Sequence, residues 1–124
     1  MNDAMLCTKT HEYLIEQVDN YEVGITDYAI KKLGDIIFVE LPEVNTKFIK
    51  NEAFATIESV KSVSEIYMPI SGKIVEINEE IVSTPELLND DSYSNKWLVK
   101  IESTADQVEL VDLLDYSDYL EEIL

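Results

Sequence analysis

The chain has 124 residues, enough for one ordinary domain and too few for two. Hydrophobic residues at 46 % and charged residues at 28 % describe a folded globular chain, not a disordered one. Nine lysines and no arginine against 26 acids leave a formal charge of −17, which makes phosphate backbones and anionic membrane surfaces poor partners. The lone cysteine, Cys7, forms no intramolecular disulfide, and with the one histidine, His11, it is too small a set for the usual zinc ligands. No apolar run approaches the ~20 residues of a bilayer span. Residues Met1 to Leu6 lack a basic region followed by an apolar stretch, and a chain without arginine does not read as a transit peptide. The expected compartment is reducing and cytoplasmic.

In chain order, His11 to Val18 partly alternates and Tyr21 to Ile25 forms a second short strand. Thr26 is placed to cap a short helix with Asp27 in its first turn, an apolar stripe of Ala29, Ile30 and Leu33, and Gly34 as the stop. Asp35 to Leu41 is a β-branched and aromatic strand ended by Pro42. Ala53 to Val60 and Ser64 to Met68 can pair across a turn near Lys61 and Ser62. Ser71-Gly72 reads as a turn before the strand Lys73 to Ile77. Thr84-Pro85-Glu86 starts a short helical turn, with proline at its first position, ending near Asn89. Trp97 to Ile101 reads as the last strand, and Thr104-Ala105-Asp106-Gln107 matches a capping box. Beyond it, Val108, Val111, Leu114 and Leu120 lie near helical spacing among acids. The expectation is one mostly-β domain over residues 1–124, with 1–9 as an N-terminal segment and 104–124 as a C-terminal helical segment.

Enzymatic constellations are nearly absent. A nucleophile needs a base beside it, and His11, the only histidine, reads more simply as a strand residue at the start of the fold. Three widely spaced glycines, Gly24, Gly34 and Gly72, build no phosphate loop. Carboxylate pairs are inevitable with 26 acids, and a solvated acidic face accounts for them. One segment stands apart: Glu58-Ser59-Val60-Lys61-Ser62-Val63-Ser64-Glu65 puts a lysine between two strand-like runs, flanked by small residues. Taken alone, a tip lysine serves solubility and edge protection. The same geometry also presents an amine to a modifying enzyme.

The neighbouring stretches bear on that choice. His11-Glu12-Tyr13, Val23 to Ala29, Leu33 to Pro42, Glu58 to Ser62, Pro69 to Asn78, Pro85 to Asn89 and Trp97 to Ile101 occur in the order and spacing of one family. From about His11 to near the C-terminus the chain resembles the H protein of the glycine cleavage system. The resemblance implies a barrel-sandwich hybrid fold with short helices and a C-terminal helix, and a carrier that is not itself an enzyme. It implies lipoic acid in amide linkage to Lys61, matching the family's Glu-Ser-Val-Lys segment. That arm accepts an aminomethyl group from glycine decarboxylase (P protein) and delivers it to the aminomethyltransferase (T protein). Dihydrolipoamide dehydrogenase (L protein) reoxidises it, and a lipoate-attaching enzyme installs it. The loaded arm folds into a cleft whose positions here are Thr10, Glu12 and Glu65. No metal, nucleic acid or membrane enters this reading.

Departures are local. Tyr13 stands where the family usually has Trp, and Tyr28 where it has His; Asn45, Asn51, Ala55, Ser94 and Lys96 replace glycines. Asn45 and Asn51 suit positive-φ turns. Within the carrier class, a protein relaying lipoate to 2-oxo acid dehydrogenases would use the same lysine. A biotin carrier usually has Ala-Met-Lys-Met, and here Val60 and Ser62 flank the lysine. The readings from other classes are an acidic hydrolase, for which no carboxylate pair stands out, and a non-carrier acidic adaptor domain with a bare Lys61.

Overall fold

The computed structural model describes residues 5–104 and 106–124. Seven antiparallel strands form the larger sheet, in the spatial order β10 (Leu114–Asp115), β1 (Met5–Cys7), β2 (Glu12–Glu16), β3 (Tyr21–Ile25), β9 (Val99–Ser103), β8 (Gly72–Ile77) and β5 (Lys47–Phe48). A smaller antiparallel sheet holds β4 (Ile36–Glu40), β6 (Ala53–Ser59) and β7 (Val63–Tyr67). Three short helices complete the fold: α1 (Asp27–Leu33), α2 (Glu79–Ser83) and α3 (Tyr116–Glu122).

Period-two alternation explains why two sheets are needed. Leu14, Val23, Ile74 and Ile101 of the larger sheet meet Ile36, Val39, Ile57 and Ile66 of the smaller one in a common core. The mostly-β sandwich with short helices is the architecture expected from the sequence. On β2 the neighbours of Leu14 face the other way. Tyr13 joins Met5, Cys7 and Tyr119 in a second apolar cluster on the outer face, where α3 packs. Gly24 lies opposite Tyr13 in the register, and a Cβ there would come within 2.7 Å of the phenol ring. Glycine at that position makes room for the aromatic ring. Burial also pushes the Cys7 thiol up to about 12, so it stays an unreactive apolar group.

Local signals set the helix ends. The Thr26 hydroxyl accepts a hydrogen bond from the Ala29 amide, and Gly34 closes α1 at a φ of 82°, a left-handed value that favours glycine. Asn45 and Asn51, at family glycine positions, have φ of 77° and 71°, as their residue type permits. Neither Ala55, Ser94 nor Lys96 has positive φ, so the loss of glycine there strains nothing. Of the α1 stripe only Ile30 is fully buried; Ala29 and Leu33 are half-buried.

The structure departs from the sequence reading in four places. His11 precedes β2 instead of lying in a strand, with a left-handed φ of 76°. The strand read at Trp97 begins at Val99, because the Leu98 amide bonds the Val23 carbonyl and the Leu98 carbonyl accepts from Asn78. Nor is it the last strand, since β10 follows and pairs with β1. The segment 104–124 is no continuous helix but a 3-10 turn (Gln107–Leu110), then β10, then α3. Pairing of Leu114 with Cys7 interrupts the helical spacing, and Val108 and Val111 are left in water. The capping box falls partly outside the described residues, at Ala105; the side chain that caps the 3-10 turn is Asp106, which accepts from the Val108 amide. Strands β1, β5 and β10 and helix α2 had no sequence signal of their own. The first two and β10 are only two or three residues long.

Tyr119 joins these parts. Its buried hydroxyl lies 2.8 Å from His11 Nδ1 and 2.7 Å from Thr26 Oγ1, tying α3 to the entry of β2 and the start of α1. Burial raises its pKa to about 12. Tyr119→Phe removes the hydroxyl partner of buried Thr26 and half-buried His11 and should cost about 1–3 kcal/mol. Urea denaturation of the two proteins measures this, and equal midpoints would show that α3 docks by apolar contact alone.

Candidate functional site

Strands β6 and β7 pair in the register Glu58 to Val63, Ile57 to Ser64 and Thr56 to Glu65, leaving Ser59 to Ser62 as a tight tip. The Ser59 amide donates to the Ser62 carbonyl at 2.8 Å. The buried Ser59 hydroxyl accepts from the amides of Lys61 and Ser62 at 3.3 and 3.2 Å. One small hydroxyl residue thus satisfies the donors that a turn would otherwise leave open. The Val60 amide bonds the Asp35 carbonyl at 3.0 Å, which anchors the tip to the start of β4. Asn89 completes the anchor: its Oδ1 accepts from Ile36 and its Nδ2 donates to the Gly34 carbonyl. The sequence placed Asn89 only as the end of a helical turn.

Lys61 is exposed on this support. Its Cε and Nζ lie 3.6 and 4.0 Å from where a Cβ of Gly34 would stand. Val60 and Val63 beside it are about two thirds exposed, and Ile37 and Phe38 of β4 are about half exposed. The bulge between Ile36 and Phe38 is what turns two consecutive apolar residues outward. Two other lysines are ion-paired: Lys50 bonds Asp112 at 2.6 Å and the Glu109 carbonyl, and Lys100 pairs with Glu76 and lies over the Trp97 ring. Among the described residues the Lys61 amine has no ion pair.

Thr10 and Glu12 come together. The Glu12 carboxylate is almost wholly buried and accepts from the hydroxyls of Thr8 (2.6 Å) and Thr10 (2.5 Å) on one oxygen. Its other oxygen accepts from the Tyr67 amide at 3.2 Å. Burial raises its pKa above the ordinary 4.5, while the hydrogen bonds from Thr10, Thr8 and Tyr67 oppose the shift. Glu65 is not part of this cluster. It stands exposed on β7, with the Tyr67 hydroxyl 3.5 Å away, and reaches Glu12 only through the strand that Tyr67 shares. Thr8 and Tyr67 were missed; the signal for Thr8 is the alternation Thr8, Thr10, Glu12, with hydroxyls four and two residues before a buried acid. The His11 ring packs 4.8 Å from Tyr28, and burial together with Lys32 lowers its pKa.

A family model described as glycine cleavage H-protein matches residues 5–123. The chain belongs to the glycine cleavage H-protein family. The glycine cleavage system H protein of Halothermothrix orenii is 50 % identical over 124 residues, covering 98 % of this chain and 96 % of that protein. That of Herpetosiphon aurantiacus is 47 % identical over 116 residues, covering 94 % and 90 %. The crystal structure of a glycine cleavage system H protein from Mycobacterium marinum superposes with a TM-score of 0.87 at 33 % identity, over 99 % of this chain and 98 % of that one. The fold is therefore the family's, and membership brings with it the role of a lipoyl carrier. No helix among the described residues is long and apolar enough to cross a membrane.

The buried Glu12 has a measurable consequence. With its folded pKa above the unfolded value, its contribution to stability is complete below about 4.5 and is lost as pH rises through the raised pKa. The stability of wild type minus that of Glu12→Gln should therefore fall as pH rises from about 4.5 through the raised pKa. Urea titrations across that range measure it. A difference that stays flat or grows with pH would mean the native state favours the carboxylate anion.

Proposed function

We propose that Lys61 is the lipoylated residue, and that the chain carries an aminomethyl group on that arm without catalysing a reaction itself. The observation that supports this is the combination of an exposed, unpaired amine with a tip held by Ser59, Asp35 and Asn89. The fit to lipoate is chemical: amide formation needs a primary amine that an attaching enzyme can approach, and a stiff hairpin delivers it at low conformational cost. When bound, the lipoyl group supplies disulfide and dithiol chemistry that takes up and releases the one-carbon cargo.

The protein's own residues orient, protect and present. Acylation removes the Lys61 charge, taking the formal charge from −17 to −18. Partners with basic surfaces are thereby steered toward an acidic carrier. We assign as partners glycine decarboxylase, the aminomethyltransferase, dihydrolipoamide dehydrogenase and the lipoate-attaching enzyme, and as the setting the cytoplasm. Thr10, Glu12 and Glu65 form the docking region for the loaded arm. A cationic amine there gains a charge-assisted hydrogen bond to a carboxylate, which a neutral arm does not. Glu12 must release at least one of its threonine donors to serve this way, whereas Glu65 is already open to water.

Lys61→Arg should fold like wild type yet gain no lipoyl mass with lipoate, ATP and a lipoate ligase, since guanidinium keeps the charge but not the nucleophilic amine. Peptide mass spectrometry decides it, and lipoate found on Lys50 or Lys73 would overturn the assignment. For the docking region, Glu12→Gln and Glu65→Gln should each lose bound methylamine several-fold faster than wild type. If neither does, the cargo is held elsewhere.

A further inference from the structure

Between Thr10 and Glu12 stands His11, at a φ of 76° that side chains larger than glycine rarely adopt. A turn closes around it: the His11 amide donates to the Thr8 carbonyl at 3.2 Å, and the Thr8 amide to the Glu12 carbonyl at 2.9 Å. The contacts that grip the residue from outside this turn come from α1 and α3. The Thr26 amide donates to the His11 carbonyl at 3.0 Å, the Tyr28 ring packs 4.8 Å from the imidazole, and the Tyr119 hydroxyl meets Nδ1.

The hydrogen bonds favour one protonation state of this imidazole. The Thr26 hydroxyl oxygen already accepts from the Ala29 amide, and the Tyr119 oxygen stands 2.7 Å away to take the Thr26 proton. Tyr119 is then left to donate its own proton to His11 Nδ1, which must be a bare acceptor. A protonated His11 would donate from Nδ1 instead. Tyr119 would have to turn its proton toward Thr26, stranding the Thr26 proton at a fully buried residue. Burial and the nearby Lys32 of α1 oppose the charge as well, and hold the His11 pKa below the ordinary 6.5. Tyr28 on α1, Tyr116 on α3 and Cys7 on β1 also face the Tyr119 hydroxyl, and Asp27 of α1 acts on Tyr116. Among the described residues no carboxylate pairs with the imidazole.

We propose that Tyr119 is a positioning residue for the docking region: from the C-terminal helix it holds the neutral His11 ring, and through His11 the turn that carries Thr10 and Glu12. The proposal deepens the docking reading and rests on it. It makes α3 and the turn one unit, joined while His11 is uncharged and loosened together by acid. The stability this gives is complete above about 6.5 and is lost as pH falls from there through the lowered pKa.

NMR of the full chain, titrated from mildly basic to mildly acidic pH, tests the coupling without lipoate. In wild type the Thr10 amide and the exchange protection of α3 should change with the same midpoint as the His11 ring. In Tyr119→Phe the His11 midpoint should rise toward 6.5, and the Thr10 amide should cease to follow α3. His11→Asn tolerates the left-handed backbone and offers an oxygen to the Tyr119 hydroxyl. It should keep the wild-type signals at neutral pH, and any titration that survives in it belongs to Glu12. On lipoylated protein near neutral pH, Tyr119→Phe should lose bound methylamine several-fold faster than wild type, whereas His11→Asn should retain it. Circular dichroism checks that both variants fold. A His11 midpoint that Tyr119→Phe leaves unchanged, or a Thr10 amide indifferent to the His11 titration, would overturn the positioning role. If Glu12→Gln and Glu65→Gln lose methylamine quickly and Tyr119→Phe does not, Tyr119 alone is overturned. If all three retain it, the docking region falls with it.

Discussion

The hydrogen bond from the Val60 amide to the Asp35 carbonyl is the constraint on which the presentation of Lys61 depends. A two-stranded hairpin tip has no reason of its own to hold one posture relative to the body of the protein. Here the acceptor is itself fixed, because the Asn89 carboxamide grips the Gly34 carbonyl on one side of Asp35 and the Ile36 amide on the other. Three segments distant in sequence therefore meet behind one exposed amine. Gly34 permits the junction, since its φ of 82° turns the chain from α1 into β4 within two residues.

The electrostatics divide into surface and interior. Most of the 26 acids lie in water, where each is individually worth little and all together set the sign of the field a partner meets. Glu12 is different in kind. A carboxylate buried to this degree is tolerated because two hydroxyls and one amide donate to it. The contact spans both sheets, since the donor Tyr67 belongs to the smaller sheet and the acceptor Glu12 to the larger. The same contact that makes Glu12 affordable therefore also ties the sheets together at one end.

Much of this architecture was legible because local chemistry and tertiary structure agree. Thr26 and Gly34 bound α1, Pro85 opens its turn, and the alternation in β6 and β7 survives as their register. What was hidden depended on pairing between remote segments. Strand β10 consists of two residues with no strand pattern, and exists because β1 offers a free edge beside them. His11 reads as a strand residue by composition, yet it takes a left-handed conformation and bonds Tyr119, 108 residues away. At the site, Lys61 was conspicuous in its segment, whereas Asn89 and Tyr67 act through a side-chain amide and a backbone amide that no motif advertises.

A carrier must hold its arm weakly enough to surrender it. If a seat bound the arm so that only a small fraction stood free, each partner's apparent affinity would fall by that same fraction. The geometry meets this demand by confining polar anchoring to the backbone of the hairpin tip. The backbone of the tip is fixed by Ser59 and Asp35, while among the described residues the Lys61 amine is engaged by no carboxylate. Charge then becomes the variable that sets how firmly the arm is held, because adding a cation to the arm strengthens its preference for a carboxylate.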